Sequence, residues 1–344
     1  MMRTAQSNLP WVEKYRPKSL DELISHQDII KTIVKFMDAK QLPHLLLYGP
    51  PGTGKTSTIT ACAHQFYNEP GQYRSMVLEM NASDDRGINV VREKIVNFAS
   101  TGLFYQPTSS EGNPQYNVHH KLVILDEADA MTNDAQNALR RVIEQFTSNV
   151  RFCFICNYLS PIIPAIQSRC TRFRFAPLSK DQMLIRLHEI VKQENVKIED
   201  DEALDAIYTL SAGDMRKALS ILQSVHYSRD SLTLKSVYEC SSKPSPAEIR
   251  HIIISLLNDS IKQSVQKVEA ICKSNGYALM DLLTESSKLV MRLNMPVNMK
   301  VSVIKKLADS EYRLAAGAVE ILEIGAFVAA FQIVRDIDPN DICD

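Results

Sequence analysis

A glycine-rich octapeptide in the first half of the chain has the spacing of a phosphate-binding loop. Residues 49–56 read GPPGTGKT and fit the pattern GxxxxGKT, between the apolar run LPHLLLYG and the helical run TSTITACAHQF. A strand before the loop and a helix after it make this motif specific, whereas a chance glycine-rich turn requires neither. The residues predicted to bind a nucleotide here are Gly49, Pro50, Pro51, Gly52, Thr53, Gly54, Lys55, Thr56 and Ser57.

The chemistry expected of this loop is that of a triphosphate and its metal ion. Backbone N–H groups of residues 52–56 would surround the β-phosphate at a helix N-terminus. Lys55 would reach between the β and γ oxygens, and Thr56 would hold Mg²⁺. We therefore expect ATP and Mg²⁺ as ligands.

Two adjacent carboxylates end the apolar run LVILDE at residues 122–127. Burying both without a cation would be costly, and a metal ion resolves that cost. Asp126 would then sit beside Mg²⁺, usually through water, while Glu127 would act as general base toward the attacking water. A pair of acids capping a surface strand is the alternative, but the four apolar residues before the pair favour burial.

Four further polar residues are candidates for the same site. Asn157 ends the run RFCFICN and would orient the water near the γ-phosphate, unless it serves as a turn residue. Asn81 would hold Glu127 in an inactive orientation, with turn formation as an equal alternative. Arg216, at the start of a helix, is placed to meet the phosphates when a lid closes; the alternative is an exposed helical arginine. Arg169 lies in a cationic segment, and the sequence leaves open whether it faces its own nucleotide or a neighbour's.

Short apolar runs alternate with helical patterns over residues 1–176, which predicts an α/β domain with a parallel sheet. Residues 42–49, 75–81, 121–127 and 151–157 are expected to be its inner strands, and ligands gather at the carboxyl ends of such strands. The stretch 102–118, rich in Pro, Ser, Gly and Asn, is expected to be a flexible surface loop.

Helical periodicity replaces this alternation in the rest of the chain. Residues 177–232 are expected to form a small lid of three amphipathic helices, and residues 233–344 an all-α domain. Because the last segment carries no catalytic motif, we expect it to serve in assembly.

Composition narrows the class of protein. Hydrophobic residues make up 45% of the 344 and charged residues 23%, which is typical of a soluble globular protein. An apolar run of roughly 20 residues, the length needed to cross a bilayer, is absent, so we expect an intracellular protein without membrane contact. The net charge of −1 excludes a generally basic nucleic-acid binder, and any DNA contact must be local.

Seven cysteines, an odd number scattered from Cys62 to Cys343, are typical of free thiols in a reducing compartment. Cys153 and Cys156 have CxxC spacing, but they lie in an apolar run without a second pair. We expect them to be buried strand residues rather than zinc or redox ligands.

Several motifs together resemble the small subunits of replication factor C, the AAA+ clamp loader. They are PWVEKYRPKSLDEL, GPPGTGKTS, NASDDRG, LDEADAM, NALRRVIE, QSRCTRFRF and GDMRKAL, in the order of that family. The motifs PWVEKYRPKSLDEL and QSRCTRFRF are much more diagnostic of this family than the phosphate loop is. Within the family, the eukaryotic ATP-binding type resembles this chain most.

The resemblance implies an architecture and roles for particular residues. It implies a RecA-like AAA+ domain, a lid and a C-terminal collar that mediates oligomerisation. Val12 and Arg16, with Ile24, would line the adenine and ribose pocket. Asn157 and Arg216 would be the two nucleotide sensors. Arg169 would act in trans, so that the active site is shared between subunits and an isolated subunit hydrolyses ATP poorly.

The resemblance also implies partners. The chain would belong to a nuclear heteropentamer with other replication factor C subunits, which opens the sliding clamp (proliferating cell nuclear antigen) and loads it at primer–template DNA in replication and repair. Arg86 and Arg92 would meet duplex phosphates, although a solvated charged helix is the ordinary alternative. Arg140 and Arg141 would relay DNA contact to Glu127.

Clamp contact would involve the region of Phe98, Leu103 and Phe104, where the loop 102–118 looks longer than usual for the family. Two other functions are weighed against the clamp loader. An AAA+ remodeller would be expected to carry an aromatic–hydrophobic–glycine pore signature, which we do not find. A non-hydrolysing scaffold subunit would not need intact Lys55, Asp126 and Glu127.

Overall fold

The computed structural model describes residues 9–67, 71–82, 88–101 and 120–332. The chain divides into two compact units, residues 1–195 with 207–223, and residues 196–206 with 224–344. The boundaries expected at 176 and 232 stay a prediction.

The first unit contains all five strands described and the helices around them. Its strands are β1 (His44–Tyr48), β2 (Val77–Asn81), β3 (Lys121–Asp126), β4 (Val150–Cys156) and β5 (Cys170–Arg174). Its helices are α1 (Trp11–Lys14), α2 (Gln27–Asp38), α3 (Lys55–Phe66), α4 (Gln72–Met76), α5 (Ile88–Ser100), α6 (Asn133–Phe146), α7 (Pro164–Gln167) and α8 (Lys180–Gln193). Short 3₁₀ helices span Leu20–Glu22 and Ala128–Ala130.

The strands form one parallel sheet in the order β2-β3-β4-β1-β5. Successive strand residues face opposite sides of a sheet, and both sides are covered here. Leu46, Val123 and Phe154 pack in the core formed with α5 and α6. Leu45 and Ile124 pack in the opposite core, formed with α2 and α3. This explains why the inner strands are continuously apolar in sequence.

One expectation about the sheet is wrong, and one strand was missed. The run at 75–81 was expected to be an inner strand, but β2 lies at the edge of the sheet, and Ser75 and Met76 belong to α4. β5 was not expected at all. It reads CTRFR, with cations at alternate positions, because it is the other edge strand and is half exposed.

The predicted three-helix lid pattern is confirmed by α8, α9 (Glu202–Ser211) and α10 (Met215–Ser228). Helix α8 begins with a capping box between Ser179 and Gln182. Cys153 and Cys156 are buried free thiols of β4, as expected.

The second unit is helical in its described part apart from one isolated parallel bridge between Ile198 and Leu232. It contains the first half of α9 and the last residues of α10, followed by α11 (Leu234–Ser241), α12 (Pro246–Asn258), α13 (Ile261–Asn275), α14 (Leu279–Arg292), α15 (Val297–Ala315) and α16 (Glu320–Gln332). Capping boxes start α11, α12 and α13. One apolar core joins α12 to α16. Of the helices described, none is both long and apolar enough to cross a membrane.

Candidate functional site

The phosphate loop bends the chain between the end of β1 and the start of α3. Gly52 and Gly54 have φ of +68° and +91°, a region in which side chains are strained. A Cβ on Gly52 would lie 1.7 Å from Oδ1 of Asp214, whereas a Cβ on Gly54 would meet nothing within 4 Å. The open space beside Gly54, at the N-terminus of α3, suits an anion held by backbone N–H groups.

The Lys55 ammonium is buried beneath this loop. Its Nζ donates to the carbonyl oxygens of Gly49 at 2.7 Å and Pro50 at 2.8 Å, and to Oδ1 of Asn157 at 3.1 Å. Burial lowers the pKa of Lys55, and the nearby Asp126 carboxylate opposes that shift. Lys55 thus joins the ends of β1 and β4.

Thr56 and Asp126 meet at the end of β3. The Thr56 hydroxyl donates to Oδ2 of Asp126 at 2.8 Å. Oδ1 of the same carboxylate accepts from the backbone N–H of Glu127 at 2.9 Å. A hydroxyl and a carboxylate oxygen are ligands that Mg²⁺ prefers.

Glu127 occupies the left-handed region with φ of +53°, which is uncommon for a residue with a side chain. The expected burial of the acid pair is wrong, because Asp126 is half buried and Glu127 is exposed. The four residues before them are buried, but the strand ends at Asp126 and the backbone turns there into the 3₁₀ helix.

Asn157 is positioned by a residue that the sequence analysis missed. Oδ2 of Asp129 accepts from the backbone N–H groups of Asn157 at 3.1 Å and Tyr158 at 3.2 Å. Asn81 pairs in register with Asp126 at the same sheet edge, and its bond to Glu127 stays a hypothesis.

Arg216 is presented by a helix N-terminus. Asp214, also missed, accepts from the backbone N–H of Arg216 at 2.8 Å and of Lys217 at 3.2 Å, and so caps α10. The backbone N–H of Met215 donates to the carbonyl of Gly52 at 3.3 Å. The start of α10 therefore contacts the phosphate loop.

These elements enclose a cavity of about 200 Å³. Most of the residues expected to bind a nucleotide line it: Val12, Arg16, Ile24, Pro51, Gly52, Thr53, Gly54, Lys55, Thr56, Ser57, Asp126, Glu127, Asn157 and Arg216. Gly49 and Pro50 instead support Lys55 through their carbonyls. Cations, a helix N-terminus and a hydroxyl–carboxylate pair in one cavity fit a triphosphate with a divalent metal ion.

Arg169 does not line this cavity among the residues described. Its Nη2 lies 2.5 Å from Oε1 of Glu144, and its Nη1 donates to the carbonyl of Ala165 at 2.7 Å. Arg140 Nε bonds the same Glu144 oxygen at 3.1 Å. Arg169 is thus held away from its own phosphate loop.

The structure describes only some of the other predicted residues. Phe98 is half buried, with the Lys121 ammonium 4.8 Å from its ring centre, and Arg141 is exposed on α6. Arg86, the side chain of Arg92, and Leu103 and Phe104 with the loop 102–118 lie outside the described residues.

The parallel sheet, phosphate loop and acidic strand end define a P-loop ATPase of the AAA class. The model of the "ATPase family associated with various cellular activities (AAA)" matches residues 45–178, and an AAA+ lid model described as "RCF1/5-like" matches residues 186–226. The fold also resembles the solved structure of a RuvB variant of Thermotoga maritima, with a TM-score of 0.50 and 17% identity over 82% of this chain and 93% of that one. That structure supports the fold alone.

The particular family follows from the rest of the chain. The model "Replication factor C C-terminal domain" matches residues 244–330. Replication factor C subunit 5 of Mus musculus is 52% identical over 96% of this chain and 94% of its own. Subunit 3 of Schizosaccharomyces pombe is 45% identical over 97% and 93%. The chain belongs to the replication factor C family, as an AAA+ ATPase subunit of a clamp loader.

Family membership confirms the fold class and the resemblance drawn from the sequence motifs. It does not favour a protein remodeller or a non-hydrolysing scaffold.

Proposed function

We propose that the cavity binds ATP with Mg²⁺ and that hydrolysis there serves the loading of a sliding clamp onto primer–template DNA. The observation that carries the proposal is the meeting of Lys55, the Thr56–Asp126 pair and Asn157 at one edge of the sheet. The backbone N–H groups before Thr56 and the Lys55 ammonium hold the phosphates. Val12, Arg16 and Ile24 hold the base and sugar.

Thr56 and Asp126 would hold Mg²⁺, which would supply positive charge beside the phosphate oxygens. Glu127 takes the proton of the attacking water, since its exposed carboxylate borders the cavity. Asn157, fixed by Asp129, orients that water, and Arg216 contacts the phosphates from the start of α10. In this proposal, every step of ATP hydrolysis takes place at the carboxyl edge of the sheet.

Arg169 completes the site of a neighbouring subunit rather than its own. Its absence from the cavity lining described above supports this role, as does its position on the surface beside Glu144. An arginine supplied across an interface is worth roughly 10³ to 10⁵ in rate in GTPases. We therefore expect slow hydrolysis by the isolated chain and fast hydrolysis by the assembled complex.

The assembly is a nuclear heteropentamer of replication factor C subunits. Large apolar side chains are exposed on α15 and α16, including Val297, Tyr312 and Leu322 at 73%, 77% and 73%. Exposed apolar surface of this kind is typical of protein interfaces. It supports an assembly role for the C-terminal helices.

The test of the ligand is equilibrium binding of ATP in the presence and absence of Mg²⁺. Lys55→Ala should weaken binding at least tenfold, because the cation beneath the phosphates is lost. Lys288→Ala, which removes an exposed lysine of α14, is the control. Tight binding by Lys55→Ala, or weak binding by the unaltered chain with its partners present, would refute the proposal.

The test of DNA contact is the salt dependence of binding by the complex. Arg86→Ala with Arg92→Ala should weaken DNA binding and reduce the slope of log K against log salt, because phosphate contacts release counterions. Lys267→Ala, an exposed lysine of α13, is the control. An unchanged slope would remove both arginines from the interface.

A further inference from the structure

The N-terminal segment that borders the cavity is hydrogen-bonded to the lid helices. The Tyr15 hydroxyl and the Lys14 ammonium both donate to Oε1 of Glu194, each at 2.5 Å. Glu194 directly follows α8. One carboxylate oxygen therefore holds two adjacent side chains from a segment 179 positions away in sequence.

Two further bonds join the same segment to the lid. The backbone N–H of Trp11 donates to Oε1 of Gln223 on α10 at 3.0 Å. Nη2 of Arg186, on α8, reaches the carbonyl of Tyr15 at 3.4 Å. Helix α1 is thus attached to both α8 and α10.

The aromatic side of this junction is buried, whereas Lys14 and Glu194 are partly exposed. Trp11 is 2% exposed and Tyr15 is 9% exposed, and their rings meet edge to face with centres 6.3 Å apart. Burial raises the pKa of Tyr15, and its bond to Glu194 adds to the shift. Hydrogen bonds to a charged group in such surroundings are stronger than neutral ones.

The N-terminal segment and the lid helices both line the cavity. Val12, Tyr15 and Arg16 line it from the segment, and Gln182, Arg186 and Arg216 line it from the lid helices. The phosphate loop lines the same cavity. A nucleotide in this cavity would therefore contact both the phosphate loop and two groups of residues that are bonded to each other.

We propose that Glu194 is a positioning residue that fixes residues 11–16 to the lid, so that the two act as one body and set how long a nucleotide stays bound. The inference rests on the proposed binding of ATP in this cavity. Glu194 acts through Tyr15 and Lys14, and it does not itself line the cavity as described. We call the contact of Glu194 with Lys14 and Tyr15 the clasp. Breaking the clasp loosens residues 11–16, which border the proposed site of the base and ribose, and leaves the phosphate loop unchanged.

The experiment measures release of a fluorescent N-methylanthraniloyl ADP from the 344-residue chain after excess unlabelled ADP is added. Tyr15→Phe and Glu194→Gln should each speed release about tenfold, equal to about 1.4 kcal/mol. The double variant should release little faster than Glu194→Gln alone, because Glu194→Gln already weakens the Tyr15–Glu194 bond that Tyr15→Phe removes, together with the Lys14–Glu194 ion pair. Tyr73→Phe and Glu79→Gln are matched controls, since they break a tyrosine–glutamate bond at the sheet edge, away from the cavity.

Trp11, the one tryptophan of the chain, supplies a second readout. Quenching of Trp11 fluorescence by acrylamide should stay low in the unaltered chain, with or without nucleotide. It should rise in the variants that break the clasp. If Glu194→Gln lowers the melting temperature, Lys14→Met replaces it as the test variant. Lys14→Met removes only one of the two donors to Oε1 of Glu194 and so disturbs the protein less.

Release within twofold of the unaltered chain in Tyr15→Phe would overturn the inference. Exposure of Trp11 on nucleotide binding would also overturn it, because the segment would then leave the lid. Failure of the unaltered chain to bind the analogue would instead refute the proposed function.

Discussion

Arg169 Nη2 lies 2.5 Å from Oε1 of Glu144, an oxygen that also accepts from Arg140 Nε at 3.1 Å. The carboxylate joins α6 to the turn before β5. These bonds lower the pKa of Glu144, with the Arg140 hydrogen bond as the largest cause. The arginine proposed to serve a neighbouring subunit is therefore oriented by an acid on its own chain.

Glu144→Gln should lower ATP turnover by the assembled complex about three- to tenfold and leave ATP affinity of this chain unchanged. The effect is modest because exposed ion pairs contribute little. Steady-state hydrolysis with a binding titration checks it. Glu285→Gln, which disrupts an exposed pair with Lys288 on α14, is the control. Equal turnover in the two variants would mean that Glu144 does not orient Arg169.

Gly52→Ala should abolish ATP binding and lower the free energy of unfolding. A residue with a Cβ at φ of +68° costs roughly 1–2 kcal/mol, and here the Cβ also collides with Asp214. Gly276→Ala is a matched control, because Gly276 also has φ of +68° but has nothing within 4 Å of an added Cβ. Gly276→Ala should therefore lower the free energy of unfolding only by the cost of the unfavourable backbone conformation. Equal behaviour of the two variants would refute close contact between the loop and α10.

Stability should fall as pH is lowered from 6.5 to about 4, because His44 is neutral in the folded chain. Burial lowers its pKa from 6.5 to about 4, and Arg151 and His120 contribute. Its Nδ1 accepts from the backbone N–H of Phe152 at 3.2 Å. As pH falls, the unfolded chain binds this proton at a higher pH than the folded chain does. The stability that neutral His44 contributes is therefore fully present above pH 6.5 and is lost as pH falls from 6.5 to about 4.

Urea unfolding at pH 7, 5.5 and 4.5 measures this contribution, which is at most about 3 kcal/mol. His44→Gln should flatten the profile between pH 6.5 and 4. His188→Gln, which changes an exposed histidine on α8, should leave the profile steep. A His44→Gln profile as steep as that of the unaltered chain would contradict the assignment.

Asp129→Ala should reduce the catalytic rate constant of the complex about tenfold with little change in ATP affinity. Asp129 fixes the backbone of Asn157 and Tyr158, whereas Lys55 and the loop hold the phosphates. Single-turnover hydrolysis separates the two effects. Asp134→Ala, an exposed acid in the first turn of α6, is the control. A change confined to affinity would contradict this role.

The sequence alone predicted the parts of the molecule that depend on local pattern. The phosphate loop, the acid pair at the end of β3 and the three lid helices are each encoded within about 20 residues, where period and spacing are visible. β5 was missed because CTRFR alternates cations with other residues, as an edge strand allows, and β2 was placed inside the sheet because apolar runs do not reveal strand order.

Residues that act through tertiary contacts could not be found in the same way. Asp129, Asp214 and Glu144 are ordinary acids in sequence, and their partners come from other elements. A weak signal existed for Asp214, since an acid before a helix is a common N-cap. The position of Glu127 was misjudged because burial of a strand does not extend past its last residue.

Turnover by the assembled complex containing Glu127→Gln tests the central claim most directly. The substitution keeps size and hydrogen bonding but removes the base. If Glu127 activates water at this cavity, the variant should retain ATP with Mg²⁺ at unchanged affinity, while single-turnover hydrolysis at this site falls at least a hundredfold. Hydrolysis at the rate of the unaltered complex, with ATP bound at this site, would contradict the account.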